Sequence, residues 1–197
     1  MNQLARARLR LPGATAPGGL VLVQELINTS SRPAAADSSI EDLLASEDAA
    51  NRWLQAALGQ WSSATGLEAP DLSLSRRDLS ALRRFRESIR TLAGHGEADT
   101  VVLAPAPVAL ELGADGRIVY TTTAAGWRGV AALVLTELLL AQRTGVWRRL
   151  KACAYPSCGI AFYDASNNNS RIWHDVRTCG NRTNLAAARR RRRGDTP

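Results

Sequence analysis

The sequence has too few cysteines for a disulfide framework and too few consecutive apolar residues for a membrane helix. Its 197 residues include three cysteines, an odd number that leaves metal binding or reactivity as their use. The longest apolar run, Gly129–Ala141, is too short to span a bilayer and contains Glu137. The basic N-terminus has prolines and glycines where a signal peptide would have an apolar segment. We therefore expect a cytoplasmic protein with no membrane partner.

The residue sets on which many enzymes depend are also missing from the sequence. No Ser/His/Asp set and no Gly-rich phosphate loop is recognisable. Of the two histidines, His95 stands between glycines after a helical pattern, where a solvated loop residue is expected. We expect a protein that is not an enzyme.

Positive charge is concentrated in the last quarter of the chain. Up to Gln142 there are 13 basic and 15 acidic residues, a net charge of −2, whereas from Arg143 onward there are 12 basic and 3 acidic residues, a net charge of +9. This asymmetry indicates an anionic partner for the C-terminal part, nucleic acid before an anionic membrane. Nearly every basic residue is arginine and alanine is abundant, a composition that suggests a bacterium with a GC-rich genome.

Residues 1–145 have the patterns of a helix-rich α+β domain. Helices are predicted at Ser46–Leu58, with an N-cap serine, and after Ser75, where an apolar face recurs up to Gly94. Gly19–Thr29 is apolar but of uncertain type, and a Ser/Pro/Ala-rich loop follows it.

The same domain ends with a predicted hairpin and a buried helix. Two alternating runs flank the turn "GADG" within Pro107–Thr123 and predict a β-hairpin. Trp127–Gln142 predicts a helix that is apolar nearly all round. Core burial is the preferred use of that helix, and a homodimer interface is the alternative.

Two matched pairs of metal-ligating residues follow within a short segment. Cys153 and Cys158 are separated by four residues, and so are His174 and Cys179. Three thiolates and one imidazole make a closed tetrahedral zinc site, and a segment with so few core residues needs the folding free energy of metal binding. The sequence predicts one structural zinc ion, with Asp164 or Asp175 as the rival fourth ligand.

The strands of this segment are predicted from the patterns on either side of a Ser/Asn-rich turn. The runs Gly159–Asp164 and Arg171–His174 flank the turn and predict a second short hairpin. We place a small treble-clef-like zinc finger at residues 146–188 and a basic, flexible tail at residues 189–197.

The segment resembles the CGNR zinc finger, whose name is spelled here by Cys179, Gly180, Asn181 and Arg182. The run "CAYPSC", the "FYD" strand and "RIW" before the third ligand fit the resemblance. One departure is His174, where the family pattern usually has cysteine.

The N-terminal part resembles the ABATE domain, a stress-induced regulator domain that normally accompanies this finger. The residues that carry the resemblance are "ELINT" (Glu25–Thr29), "DLL" (Asp42–Leu44) and the helix containing Trp53. Together the two resemblances imply a bacterial transcription-regulator-like protein whose first domain senses a small-molecule ligand or mediates assembly.

The C-terminal arginines are the candidate contacts to nucleic acid, with DNA preferred to RNA. Arginines whose backbone the zinc holds in place are expected to bind phosphate, and Asn181 and Arg182 are candidates for base edges, although a structural cap is the first expectation for Asn181. Five consecutive arginines on a helix would point to all sides, so they are expected in water or against an anion. The complete set of candidate contacts is Arg171, Arg177, Asn181, Arg182, Arg189, Arg190, Arg191, Arg192 and Arg193. The alternatives are an RNA or ribosome binder and a protein-interaction adaptor.

Overall fold

The computed structural model describes residues 15–30, 42–94, 107–155 and 158–193. In these ranges the helices are α1 (Leu20–Ile27), α2 (Glu47–Thr65), α3 (Asp78–Ala93), α4 (Gly126–Arg143) and α5 (Asn181–Arg193). The strands are β1 (Val108–Leu112), β2 (Ile118–Thr122), β3 (Leu150–Ala152) and β4 (Ala161–Tyr163). A 3₁₀ helix (Val146–Arg149) precedes β3, and a π-helical turn (Val176–Gly180) precedes α5. The N-terminal stretch before residue 15, the Ser/Pro/Ala-rich loop from residue 31, His95 and residues 194–197 lie outside these ranges.

Helix α1 forms the centre of a helical body and packs against α2, α3 and α4. All eight of its residues are buried, including the polar Gln24 and Glu25. Complete burial explains why the sequence leaves the type of this segment open, because a helix that is buried on every side shows no clear contrast between an apolar and a polar face. The predicted α+β class is confirmed.

Helix α2 begins and helix α3 ends where the sequence predicts, but the end of α2 and the start of α3 differ from the prediction. Ser46 caps α2 by accepting a hydrogen bond from the amide of Ala49, but the helix continues beyond Leu58 to Thr65 and ends at the left-handed Gly66. The Ser75 hydroxyl donates to the Asp78 carboxylate, and α3 begins at Asp78 rather than directly after Ser75. The Ser46 cap is confirmed, whereas Ser75 is not the N-cap of α3: Arg77 has that position, and no side chain caps the helix there.

The first predicted hairpin is confirmed as the antiparallel pair β1–β2. Its register pairs Leu110 with Tyr120 and Leu112 with Ile118 across the turn at residues 113–116. Tyr120 connects the hairpin to α4, because its hydroxyl donates a hydrogen bond to the Glu137 carboxylate. Toward the turn the apolar side chains are exposed, with Leu110 at 71%, Leu112 at 72% and Ile118 at 66%.

Glu137 is a buried carboxylate at the junction of four elements. It accepts hydrogen bonds from the Trp61 indole of α2 and the Tyr120 hydroxyl of β2. A Cβ atom at Gly19, just before α1, would lie 1.8 Å from the Glu137 carboxylate. A methyl group at position 19 would therefore displace the end of the Glu137 side chain from its position against Trp61 and Tyr120.

The second predicted hairpin is wrong in its pairing. Strand β4 pairs antiparallel with β3, with Leu150 opposite Tyr163 and Ala152 opposite Ala161, and not with Arg171–His174. The two strands are joined by the turn that carries Cys153 and Cys158. Residues 171–173 are not a strand. They are held beside the ligand Cys153 by a hydrogen bond, which the Ala154 amide donates to the Ile172 carbonyl.

The β3–β4 hairpin shares its core with the helical body. Leu150 and Ala161 are fully buried in the same apolar cluster as the residues of α1 to α4. Asn28, at the end of α1, bridges both backbone groups of Ala161, because its Nδ2 donates to the Ala161 carbonyl at 2.9 Å and its Oδ1 accepts from the Ala161 amide at 2.9 Å. The predicted boundary at residue 145 therefore crosses a continuous core.

None of the helices in the described parts of the chain combines the length and the apolar character that a bilayer crossing requires.

Candidate metal centre and basic helix

Cys153, Cys158, His174 and Cys179 come together as one buried cluster. One ligand atom from each of the four lies within 4.8 Å of the others. The Nδ1 atom of His174 is 3.3 Å from the Cys158 sulfur and 3.6 Å from the Cys179 sulfur. A tetrahedral zinc with a Zn–S bond of about 2.3 Å and a Zn–N bond of about 2.0–2.1 Å holds the nitrogen and the sulfur about 3.6 Å apart. The donor set and its spacing fit one structural zinc ion, as the sequence predicts.

The backbone around the ligands is fixed by short-range hydrogen bonds. The Cys153 amide donates to the Ile160 carbonyl, and the Cys158 amide donates to the Tyr155 carbonyl. The Cys179 amide donates to the Asp175 carbonyl in the π-helical turn. Two ligands therefore come from the β3–β4 turn and one from the start of a helix, while His174 comes from the segment between them.

The charges of the cluster favour a divalent cation. A hydrogen bond from Cys158 lowers the pKa of Cys153, and that same interaction, together with burial, raises the pKa of Cys158. Burial and the neighbouring Cys153 thiolate raise the pKa of Cys179. One thiolate thus forms readily at the expense of the others, and a metal ion offsets the repulsion that would accompany three.

The two rival ligands have other partners. Asp164 is fully buried and forms an ion pair with Lys151, with 2.8 Å between Oδ2 and Nζ. Burial would raise the pKa of Asp164, but hydrogen bonds from Lys151, Ser166 and the Arg171 amide hold it well below its usual range. Asp175 caps the π-helical turn by accepting from the Arg177 amide and the Thr178 hydroxyl. The Cys/His cluster contains neither carboxylate.

Trp173 and Gly180 close the cluster on one side. Trp173 is partly buried and packs against the three cysteines. A Cβ atom at Gly180 would lie 3.2 Å from the Trp173 ring and from the Val176 side chain. The small residue after Cys179 is therefore explained by the close approach of the tryptophan, which acts as a packing residue here.

These features define a small zinc-binding module in which a turn and a helix start provide the ligands. Residues 149–192 match the family model of the CGNR zinc finger. The resemblance carried by Cys179–Arg182 is thus confirmed for the finger, while the match leaves the residues before 149 outside it. No curated protein matches the chain.

The structure places the candidate nucleic-acid contacts in two different environments. Arg171 is directed inward: its guanidinium lies 5.7 Å from the centroid of the Phe162 ring and donates to the His174 carbonyl at 3.0 Å. Arg177, Asn181 and Arg182 are exposed around the start of α5. Asn181 has helical backbone angles and is the C-cap residue of the π-helical turn, whose N-cap side chain is that of Asp175.

Helix α5 continues through Arg193, whereas the sequence suggested that a tail begins at residue 189. Arg189 and Arg192 are exposed on this helix. The structure places the backbone of Arg190, Arg191 and Arg193 in the same helix. The arginine run is therefore connected, through α5 and the π-helical turn before it, to the ligand Cys179.

Sequence reasoning missed the polar contacts that support the centre. Lys151 is the only lysine of the chain, and its Nζ reaches Asp164 as well as the carbonyls of Asn169 and Arg171. Its position two residues before Cys153, in a chain whose other basic residues are arginines, could have indicated that it supports the metal centre. The bridge from Asn28 to Ala161 joins residues 133 positions apart, and no local pattern could have indicated it.

Proposed function

We propose that this protein binds duplex DNA through α5 and acts as a bacterial transcriptional regulator. The observation that carries the proposal is that an exposed helix rich in arginine begins directly at a metal-ligand cluster. A helix fixed at one end presents its cations in one orientation, and ordered cations bind phosphate without first losing conformational freedom.

The two acidic residues in the described part of the finger have partners outside α5. Asp164 is paired with Lys151 inside the finger, and Asp175 is bonded to the backbone and hydroxyl groups of its own turn. No Asp or Glu occurs between Val176 and Arg193. The helix therefore presents a surface of one sign of charge to solvent, as is typical of nucleic-acid-binding elements.

The exposed helix favours DNA over RNA as the partner. The major groove of B-form DNA, about 12 Å wide, admits an α-helix. The major groove of A-form RNA is deep and narrow, so side chains on a helix cannot read it. An RNA or ribosome binder is the outcome if single strands or RNA duplexes bind better than DNA.

The helical body takes the sensor or assembly role in this proposal. The residues that resemble the ABATE domain meet in space: Arg86 of α3 donates to the Thr29 hydroxyl and to both carboxylate oxygens of Asp42. Asn28 joins this region to the finger. A small-molecule ligand or a second copy bound to the body would then act on the finger through the shared core.

A protein-interaction adaptor is the second candidate function. The observation that favours it is the exposed apolar side of the β1–β2 hairpin, formed by Leu110, Leu112 and Ile118. Apolar patches of this kind mark protein contacts in many soluble proteins. We propose no enzymatic role, because four protein ligands leave no open position on the zinc for a substrate.

Titrations at several salt concentrations test DNA binding. On duplex DNA the logarithm of the affinity should fall with the logarithm of salt by about 0.9 for each phosphate contact. Replacing Arg189–Arg192 by glutamine should flatten this slope and weaken random and selected duplexes equally.

A charge-matched variant controls for the net charge of the protein. Arg76, Arg77, Arg83 and Arg84 are four exposed arginines of the helical body. Replacing them by glutamine removes the same charge and should leave the slope nearly unchanged. Equal losses in both variants would show that net charge, and not α5, is responsible. An intact protein that binds neither DNA nor RNA at low salt would favour the adaptor.

A further inference from the structure

One stripe of α5 combines an amide, an apolar side chain and two cations. Asn181, Leu185, Arg189 and Arg192 follow one another at intervals of four, four and three residues. At 3.6 residues per turn these positions lie on the same side of a helix. All four are exposed. The stripe is a surface that faces solvent along the whole helix.

Leu185 is the unusual member of this stripe. It is 57% exposed, in a helix whose neighbouring side chains are polar or small. Leucine contributes to stability by burial, and at Leu185 more than half of the side chain is open to solvent, so most of that contribution is absent. The side chain stands one turn after Asn181 and one turn before Arg189, in the middle of a cationic surface.

We propose that Leu185 contacts the methyl group of a thymine in the major groove of duplex DNA. This inference rests on the proposed function and names the base that the helix reads. Apolar side chains recognise the thymine methyl group, and asparagine is suited to the N6 and N7 atoms of adenine. The cations beside them complement the phosphates on both edges of the groove.

The spacing along the helix fits this assignment. At 1.5 Å of rise per residue, Asn181 and Leu185 are separated by about 6 Å along the axis, the distance of roughly two base-pair steps. Arg189 lies about 6 Å beyond Leu185, and Arg192 about 4.5 Å beyond that. Asn181 and Leu185 therefore reach base pairs about two steps apart, and the two arginines reach the backbone beyond them.

Two duplexes that differ only in methyl groups test the proposal. The first has alternating adenine and thymine, and in the second every thymine is replaced by deoxyuridine. The zinc-loaded protein should bind the thymine duplex about fourfold more tightly, the ratio that burial of one methyl group gives at about 0.8 kcal/mol. Leu185→Ala should reduce this ratio to near one while keeping one zinc per chain.

Two variants serve as controls. Leu139 of α4 is also 57% exposed, and Leu139→Ala should keep the fourfold ratio. Arg189→Gln should weaken binding to both duplexes and keep the ratio, because phosphate contacts do not depend on the methyl group.

The outcomes separate this inference from the proposed function. Salt-dependent binding with equal affinity for both duplexes, or a ratio that survives in Leu185→Ala, would overturn the role of Leu185 and leave DNA binding intact. Absence of binding to either duplex at low salt would overturn both.

Discussion

Asn28 shows how one side chain can connect two parts of the chain that look separate in sequence. It is 6% exposed, and its amide completes the hydrogen bonds of Ala161 at the edge of β4. Asn51 makes the same double bridge to the backbone of Leu74, but within the helical body. The two asparagines form a matched pair for experiment.

We expect Asn28→Ala to loosen the finger. The substitution leaves two buried backbone groups without partners, at a cost of about 1–3 kcal/mol each. Zinc transfer to a chelator should become faster by about tenfold or more. Asn51→Ala should lower the urea midpoint of the protein but change the zinc transfer rate much less. Equal transfer rates in wild type and Asn28→Ala would show that the bridge does not hold the finger.

We expect Gly19→Ala to destabilise the body. Its methyl group would displace the Glu137 carboxylate from Trp61 and Tyr120, and the loss of buried hydrogen bonds costs about 1–3 kcal/mol. Gly59 of α2 is the control, because a Cβ atom there meets no atom within 4 Å. Gly59→Ala should stabilise the protein by about 0.4–1 kcal/mol. Urea denaturation measures both, and a neutral Gly19→Ala would contradict the close contact.

At the scale of elements, the sequence predicts those parts that carry a period, a cap or a motif. Helices α2, α3 and α4 and the β1–β2 hairpin have such local signals. Helix α1 has none, because complete burial removes the contrast between its faces.

The local sequence pattern does not indicate which neighbouring segment pairs with β4. Two segments are candidates to pair with β4. Leu150–Ala152 lies before the turn that precedes β4, and Arg171–His174 lies after the turn that follows it. The cysteine turn joins β3 and β4 directly, and Leu150 and Ala161 gain burial against the helical body when they pair. Residues 171–173 are instead placed so that the imidazole of His174 lies beside the three cysteine sulfurs. Tertiary burial and ligand geometry therefore decide the strand pairing.

We expect the finger to hold one zinc through its four predicted ligands. Cys179→Ser should lose the metal and unfold the finger, whereas Thr178→Ser, at the exposed neighbouring residue, should keep it. His174→Cys should also keep one zinc, because thiolate is as suitable a ligand as imidazole. Elemental analysis of the purified variants measures the ratio. A His174→Cys protein without zinc would remove His174 from the ligand set.

At the scale of the whole molecule, the finger and the helical body share one core. Leu150 and Ala161 of the finger are buried with the side chains of α1 to α4. The charge of the molecule is nevertheless divided, since the body up to Gln142 has a net charge of −2 and the remainder +9. The molecule therefore joins a mildly acidic helical body to a basic finger, and the apolar core continues from one into the other.

This shared core predicts that removing zinc destabilises the helical body. Folding of the finger is coupled to the metal, and the loss of the β3–β4 hairpin would expose the apolar surface that it covers on α1 and α3. The urea midpoint of helix unfolding, followed by far-UV circular dichroism, should fall on chelation, while most of the helix signal remains in the absence of urea. An unchanged midpoint would mean that the body is stable without the finger.

The central claim is that a zinc-anchored basic helix binds DNA, and one titration tests it most directly. Fluorescence anisotropy of a labelled duplex is measured with the zinc-loaded protein and with the same protein after chelation, at equal salt. We expect salt-dependent binding by the zinc-loaded protein, a loss of about tenfold or more in affinity after chelation, and recovery when zinc is restored. Equal affinity with and without zinc would contradict the claim, because the helix would then need no anchor.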